Sequence, residues 1–359
     1  MTQPLASTSP MQHFPPPPEE VVTLWRRDSR LHAVVAIHST VRGPALGGTR
    51  IRLYPDLDAA VAEACNLAEA MTLKNAVAGL PFGGGKAVLI GDPATIKTPE
   101  LLTDYAGLLD ALKGRYVTAA DVGSTQADMD ALRDHTRFVA GTSLSRGGSG
   151  DPSPMTAYGV LCAMEAGSEG VFGTRDLAGK TIAVSGLGKV GSEVVRLLLE
   201  RRCRIIASDV STQALDAVSK FGRIDVVPPD KIHLTECDIF TPCALGGVLN
   251  DRTGGELRCR LVVGAANNQL SAPSIADELA ALDIVYIPDF VASAGGVVNI
   301  AHEYLGYDEG KARAHVQQIY TTTETILRRS GEQSITPLAA AMTLAEERLA
   351  GSAGAGISG

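Results

Sequence analysis

The chain has 359 residues, 45% apolar and 20% charged, a globular composition with room for two or three domains at roughly 150 residues each. Its 32 basic and 40 acidic side chains leave a formal charge of −8, which excludes a nucleic-acid-coating role and disfavours binding to anionic membranes, since both need a basic excess. No run of about 18 apolar residues is free of charge, so no transmembrane helix is expected, and the first residues lack the basic and apolar regions of a secretory signal. The six cysteines form no Cys-x-x-Cys pair and have no histidine pair near them, so no metal site is expected. Reduced thiols are expected, and with them a cytoplasmic protein.

In chain order, residues 1–20 read as a flexible arm around the proline run Pro15 to Pro18. Leu31 to Ser39 (LHAVVAIHS) reads as a strand. Leu57 to Val77 reads as a helix, with Val61, Ala64, Cys65, Ala68 and Met71 at spacings of three and four. Ala87 to Ile90 and Tyr116 to Ala119 are strand-like, and the breaker cluster from Ser143 to Pro154 reads as an interdomain linker. Five short apolar runs follow: TIAVS (181–185), RIIAS (204–208), CDIFT (237–241), LVVG (261–264) and IVYI (284–287). Strands apolar on both faces belong to a parallel, doubly wound sheet. The stretch from about His302 to Leu349 is helical in pattern, and residues 350–359 form a small, glycine-rich tail.

The motif Gly186-Leu187-Gly188-Lys189-Val190-Gly191 follows the strand TIAVS and precedes a helix expected over Ser192 to Glu200. A second strand ends at Asp209. This is the context in which Gly-x-Gly-x-x-Gly holds a dinucleotide. Gly186 permits the tight turn, Gly188 lets backbone approach a pyrophosphate, and Gly191 lets helix and strand pack closely. Lys189 and Val190 belong to the same loop, and the helix N-terminus after it offers free N–H groups to the phosphates. Asp209 is placed to accept from ribose hydroxyls and repels a 2′-phosphate, which favours NAD over NADP. Arg201, Arg202 and Arg204 lie near enough in sequence to bear on that choice; the region Gly222 to His233 reads as irregular, with Arg223 expected near the adenine.

Lys86 follows Gly83-Gly84-Gly85. A P-loop would need glycine at Leu80 and a hydroxyl at Ala87, so the P-loop reading fails. A glycine-rich turn delivering Lys86 to a cleft, with Lys74 nearby, fits acid–base chemistry. Two close, partly desolvated lysines depress each other's pKa. One can then act as a base while the other grips a carboxylate. Asp121, at the end of YVTAAD, is placed to share the proton traffic. Solvated lysines and a turn-forming aspartate are the plainer alternative.

Several segments together resemble the Glu/Leu/Phe/Val dehydrogenase superfamily of NAD-dependent amino-acid dehydrogenases, with the leucine and valine enzymes most alike. They are GPALGGTR (43–50), MTLKNAVAGLPFGGGKAVLIGDP (71–93), GRYVTAADVG (114–123), GGSGDPSPMTAYGV (147–160), GLGKVG (186–191), DIFTPCALGG (238–247), GAANNQL (264–270) and PDFVASAGGVVN (288–299). The resemblance implies that Lys86 activates water as a base, and that Lys74 binds the substrate α-carboxylate with the backbone of Gly47 and Gly48. It implies that Asp121 exchanges protons with the amino group, and that Asn267 and Asn268 line the amino-group and nicotinamide side. Thr156 should touch the nicotinamide carboxamide, and Cys243, Ala244 and Leu245 should lie along the cofactor. The substrate side chain should meet Leu46, Ala119, Val297 and Ile300, all apolar, which points to a branched aliphatic amino acid. An aromatic amino-acid dehydrogenase and a non-catalytic NAD-binding regulator are the alternatives. A hydroxy-acid dehydrogenase would want a histidine–carboxylate pair, and His38 and His302 lack that context.

The expected fold is α/β in two domains with a cleft between them. Residues 21–146, with helices of 327–349 packing back, form a substrate-binding and oligomerisation domain. Residues 147–326 form a doubly wound Rossmann domain. The resemblance further implies a homo-oligomer, a dimer to an octamer, acting on small molecules without nucleic acid or membrane.

Overall fold

The computed structural model describes residues 17–244 and 246–353. The expectations for residues 1–16, for Leu245 and for the tail beyond 353 lie outside them. At the inner end of the expected arm, the Glu19 carboxylate accepts from the Thr40 N–H and hydroxyl, and the first strand begins at Glu20.

The first sheet contains β1 (Glu20–Arg26), β2 (Leu31–Ser39), β3 (Ala45–Arg52), β4 (Gly83–Ile90) and β5 (Tyr116–Ala120), in the order β1-β2-β4-β3-β5. β3 runs parallel to both β4 and β5, whereas β2 is antiparallel to β1 and β4. Helix α1 (Leu57–Val77) is capped by Asp56, whose carboxylate accepts from the Ala59 N–H. It buries Ala60, Ala64 and Ala68, four apart on one face, against Val34, Ala36 and Val88. Alanines there let the helix axis lie close to the sheet. On the other face, α2 (Pro99–Ala111) and α3 (Gln126–Arg133) pack Leu101, Tyr105, Leu109, Met129 and Leu132 on Val35, Ile37, Ala87 and Leu89.

After α4 (Ser153–Phe172) comes a second sheet of β6 (Thr181–Ser185), β7 (Arg204–Ser208), β8 (Ile224–Val226), β9 (Ile239–Pro242), β10 (Leu261–Val262) and β11 (Val285–Tyr286). All its pairings are parallel, in the order β11-β10-β9-β6-β7-β8. Numbered from β6, this is the 3-2-1-4-5-6 order of a Rossmann domain, with its switch point between β6 and β9. The connecting helices are α5 (Lys189–Glu200), α6 (Thr212–Ser219), α7 (Asp251–Glu256) and α8 (Ile275–Ala281). The chain ends in α9 (Asp289–Ala292), α10 (Gly295–Tyr304), α11 (Glu309–Gln333) and α12 (Pro337–Ala353). α12 returns to the first unit, where Ala340, Ala341 and Leu344 cluster with Ala76 and Val77 at the end of α1.

The two-domain α/β class is as expected, and three local features differ. Gly83 to Gly85 are not a turn but the start of β4. A Cβ at Gly83 would lie 1.8 Å from the Ser39 carbonyl oxygen, and one at Gly84 2.1 Å from the Thr72 nitrogen, so glycine lets this strand pass under α1. The stretch 222–233, read as irregular, contributes the edge strand β8. α5 begins at Lys189, three residues earlier than expected, because Gly188 already serves as its N-cap.

Candidate active site

Alternation along strands builds the site. Leu46, Gly48 and Arg50 of β3 point to the α1 face of the sheet, as do Lys86 of β4 and Ala119 of β5, with Asp121 just beyond β5. β3 lies between β4 and β5, so Lys86 and Asp121 reach towards each other over Gly48. The Lys86 Nζ lies 2.8 Å from Asp121 Oδ2. A Cβ at Gly48 would sit 2.8 Å from the Asp121 Cβ, so glycine keeps the path of this ion pair open. Arg50 Nε donates to the same Asp121 Oδ2 at 2.9 Å, and its other arm lies 2.5 Å from Glu63 Oε1 on α1.

Burial alone would raise the Asp121 pKa, but Lys86 and then Arg50 outweigh it and hold the carboxyl at about 2. Asp121 is therefore an anion at neutral pH. Lys74, in the last turn of α1, spans the cleft. Its Nζ donates to Asn267 Oδ1 at 2.9 Å and to the Ser293 hydroxyl at 3.1 Å. Burial pushes the Lys74 pKa down; Asp289 opposes the shift, Lys86 adds to it and Asp121 opposes it. The lysine whose charge burial weakens is thus Lys74, while Lys86 is the one held by a carboxylate. Neighbouring Asn75 is fully buried and donates to the carbonyls of Leu46 and Gly83, which fixes the end of α1 to β3 and β4.

These groups line a cleft of about 610 Å³ between the two units. The cleft brings together Lys74, Lys86, Asp121, Gly47, Gly48, Asn267, Asn268 and Thr156 with the four apolar positions Leu46, Ala119, Val297 and Ile300. The Thr156 hydroxyl donates to the Pro152 carbonyl in the first turn of α4.

The remaining predicted residues gather at the carboxyl ends of β6, β7 and β9. Gly186 has φ +96°, and a Cβ there would meet Ala244 at 2.7 Å. A Cβ at Gly191 would lie 2.0 Å from the Gly186 carbonyl oxygen. At Gly188 the space is open, and no side chain caps the N–H groups of α5 that begin at Lys189 and Val190. An open cradle over uncapped N–H groups, at the sheet's switch point, fits a dinucleotide pyrophosphate. Asp209 Oδ2 accepts from the Leu187 N–H at 2.6 Å, which places the acid beside that loop. Arg204 and Arg223 stand level at the opposite ends of β7 and β8, about 17 Å away at 3.3 Å per residue, so neither is placed to receive a 2′-phosphate beside Asp209. This corrects the expectation that Arg223 sits near the adenine. Cys243 donates its N–H to the Ser185 carbonyl, and burial pushes its thiol up to about 12, so it is a neutral wall and not a nucleophile. Lys189 Nζ lies 3.1 Å from the Asp151 carboxylate.

Residues 20–138 match the model of the Glu/Leu/Phe/Val dehydrogenase dimerisation domain, and 147–219 with 205–355 match the Glutamate/Leucine/Phenylalanine/Valine dehydrogenase model. The chain belongs to the Glu/Leu/Phe/Val dehydrogenase family. It is 45% identical over 332 residues to the leucine dehydrogenase of Bacillus subtilis (strain 168), covering 92% of this chain and 91% of that enzyme. It is 44% identical over 335 residues to the valine dehydrogenase of Streptomyces albus, covering 92% of each. The crystal structure of L-tryptophan dehydrogenase from Nostoc punctiforme superimposes with a TM-score of 0.82 at 38% identity, covering 93% of this chain and 96% of that one.

For this member of the Glu/Leu/Phe/Val dehydrogenase family, sequence reasoning missed Arg50, Glu63, Ser293 and Asp289. Arg50 carried a signal, since it stands two residues after Gly48 and so shares its face. Ser293 and Asp289 stand in the segment PDFVASAGGVVN, but only the fold brings that turn opposite Lys74. Among the described residues no cluster of three or more His, Cys, Asp or Glu could hold a metal, and no helix is long and apolar enough to cross a membrane.

Proposed function

We propose that this protein catalyses the reversible, NAD-dependent oxidative deamination of a branched-chain L-amino acid to its 2-oxo acid and ammonia. The carrying observation is the Lys86–Asp121 ion pair across Gly48, facing Lys74 over an apolar wall. Gly186, Gly188, Lys189, Val190, Gly191, Asp209, Cys243 and Ala244 would hold the dinucleotide, with Thr156 and Asn267 towards its nicotinamide. When bound, NAD supplies the hydride acceptor.

The chain's own residues do the rest. Lys74 pairs with the α-carboxylate, beside the Gly47–Gly48 backbone, and that anion restores the ammonium charge that burial weakens. Asp121, already ionised, accepts from the substrate amino group and exchanges protons with it. Asn268 lines the same side. Lys86 takes the proton of a water as its oxygen adds to the imine carbon. Return of a proton to nitrogen, with loss of the hydroxyl proton as the carbonyl forms, then breaks the C–N bond and releases ammonia and the 2-oxo acid.

Leu46, Ala119, Val297 and Ile300 offer no cation, so glutamate's second carboxylate would be buried unpaired at a cost of several kcal/mol. The likeness to a tryptophan dehydrogenase supports a second reading, an aromatic substrate. The match to a dimerisation-domain model supports a homo-oligomer formed through the first unit. The six free thiols agree with a cytoplasmic setting.

Two variants test the assignment. Lys86→Ala should lose turnover by at least 1,000-fold while NAD still binds by calorimetry. Turnover near the wild-type rate would contradict the role of Lys86. Lys74→Ala should raise the amino-acid KM by about tenfold or more, and an unchanged KM would remove Lys74 from carboxylate binding.

A further inference from the structure

Asp121 Oδ2 is shared. It receives Lys86 Nζ at 2.8 Å from one side and Arg50 Nε at 2.9 Å from the other, and the guanidinium is held in turn by Glu63 Oε1 at 2.5 Å. The groups form a chain of alternating charge, Lys86–Asp121–Arg50–Glu63, which ends in Arg52, 3.7 Å from Glu63 Oε2. Arg50 is mostly buried, with 18% of its side chain exposed.

We propose that Arg50 is a positioning residue that loosens the Lys86 proton by taking part of the Asp121 charge, and that Glu63 sets how strongly it does so. The inference rests on the reading of Lys86 as the base.

The physical argument is one of competition. A carboxylate with a single cationic partner gives that partner its whole field and holds the partner's proton tightly. Asp121 has two cationic partners on one oxygen. The Arg50 charge cannot be lost, because guanidinium stays protonated. Lys86 is therefore the member that can give up its proton while Asp121 remains an ionised, paired carboxylate. The second oxygen, Oδ1, is left for another donor. Burial works to lower the Arg50 pKa, but Asp121 and Glu63 outweigh it and raise it.

The other groups facing Lys86 are few. α1 brings Lys74, with Asp289 behind it across the cleft, as well as Glu63. β5 brings Asp121, whereas the buried Tyr116, whose hydroxyl donates to the carbonyls of Gly47 and Gly48, lies on the opposite face of the sheet with α2. β2 places Ala36 opposite Lys86, and His38 two residues on is hydrogen-bonded to the Thr72 hydroxyl. None of these touches Asp121 Oδ2.

The test is the pH profile of oxidative turnover in the full-length enzyme, with three variants. Arg50→Met leaves Lys86 as the only cation on Asp121, so the rising alkaline limb should move to higher pH by about one unit. Glu63→Gln removes a negative charge from Arg50 and should move the limb to lower pH. Arg50→Lys keeps the charge and should restore the midpoint. Opposite shifts from the two neutralising variants are not produced by loosened packing, which would lower activity without ordering the midpoints by charge. A folded Arg50→Met enzyme with an unmoved limb, or a shift of the same sign in both variants, overturns the proposal.

A second measurement needs no turnover. Carboxyl-carbon NMR of aspartate-labelled protein, with the Asp121 signal assigned through Asp121→Asn, follows Asp121 directly. Its titration, near 2 in the wild type, should rise by about one unit in Arg50→Met; an unmoved titration overturns the proposal. If no amino acid supports NADH formation in the wild type, the functional reading fails, and the NMR titration still decides whether Arg50 governs Asp121.

Discussion

Asp121 carries an acid-stability signature. Its pKa is held at about 2 against an unfolded value near 3.8, so the folded state favours the ionised carboxyl. The contribution, about 2 kcal/mol, is fully present above pH 4 and is lost as pH falls from 4 through 2. Wild type should therefore lose stability across that window in a urea titration, and Asp121→Asn should show a flatter dependence there. An identical dependence in both would remove Asp121 as the group responsible. Gly48 tests the same pair sterically. In Gly48→Ala the new methyl would lie 2.8 Å from the Asp121 Cβ and 3.0 Å from the Ala120 carbonyl oxygen, too close for both to stay in place. Displacing the pair by a fraction of an ångström should lower kcat by about 100-fold. Wild-type kcat in that variant would show that the pair's placement does not matter.

At the scale of the element, the glycine loop between β6 and α5 separates two roles that the motif merges. Gly191→Ala places a methyl 2.0 Å from the Gly186 carbonyl, so helix and strand must part and the protein should be destabilised by about 1–3 kcal/mol. Gly188→Ala meets nothing within the protein, so its melting temperature should stay close to wild type while NAD affinity falls by tenfold or more, which calorimetry reads. The elements themselves were legible to different degrees. α1 and the strands β2, β6 and β7 were read with their observed bounds, because each is long or continuous enough for one period to dominate. β4 was cut short, since three glycines speak for a turn when the close passage of Thr72 and Ser39 is not visible. β10 and β11 have only two paired residues each. Their apolar runs overestimated the ladder because Val263 and Ile287 are buried beyond the pairing. The site divides in the same way. Lys86, Asp121 and the glycines stand in recognisable motifs, whereas Glu63 and Asp289 meet their partners only through tertiary packing.

At the scale of the molecule, the cleft is held from both sides. Lys74 ties α1 to Asn267 and Ser293 across it. Glu303, on the helix that carries Val297 and Ile300, accepts from the Gly141, Thr142 and Ser149 N–H groups and from both hydroxyls, at 2.6–3.1 Å. Asn299 of the same helix donates to the Ser149 carbonyl. α10 therefore fastens the chain leaving the first unit to the apolar wall of the cleft, where a Cβ at Gly141 would lie 3.8 Å from the Ala119 Cβ and 4.0 Å from Ile300. Glu303→Ala strands five donors and should destabilise the fold by about 3 kcal/mol or more. An unchanged denaturant midpoint would show that this carboxylate does not hold the linker. The measurement that bears most directly on the whole account is NADH formation at 340 nm by purified protein. The panel is valine, leucine, isoleucine, phenylalanine, tryptophan and glutamate, each with NAD and with NADP. The apolar pocket and Asp209 together predict strong aliphatic activity with NAD, weak activity with NADP and almost none with glutamate. Preference for an aromatic substrate would contradict the pocket reading, preference for NADP would contradict the role of Asp209, and silence on every substrate would contradict the proposed reaction.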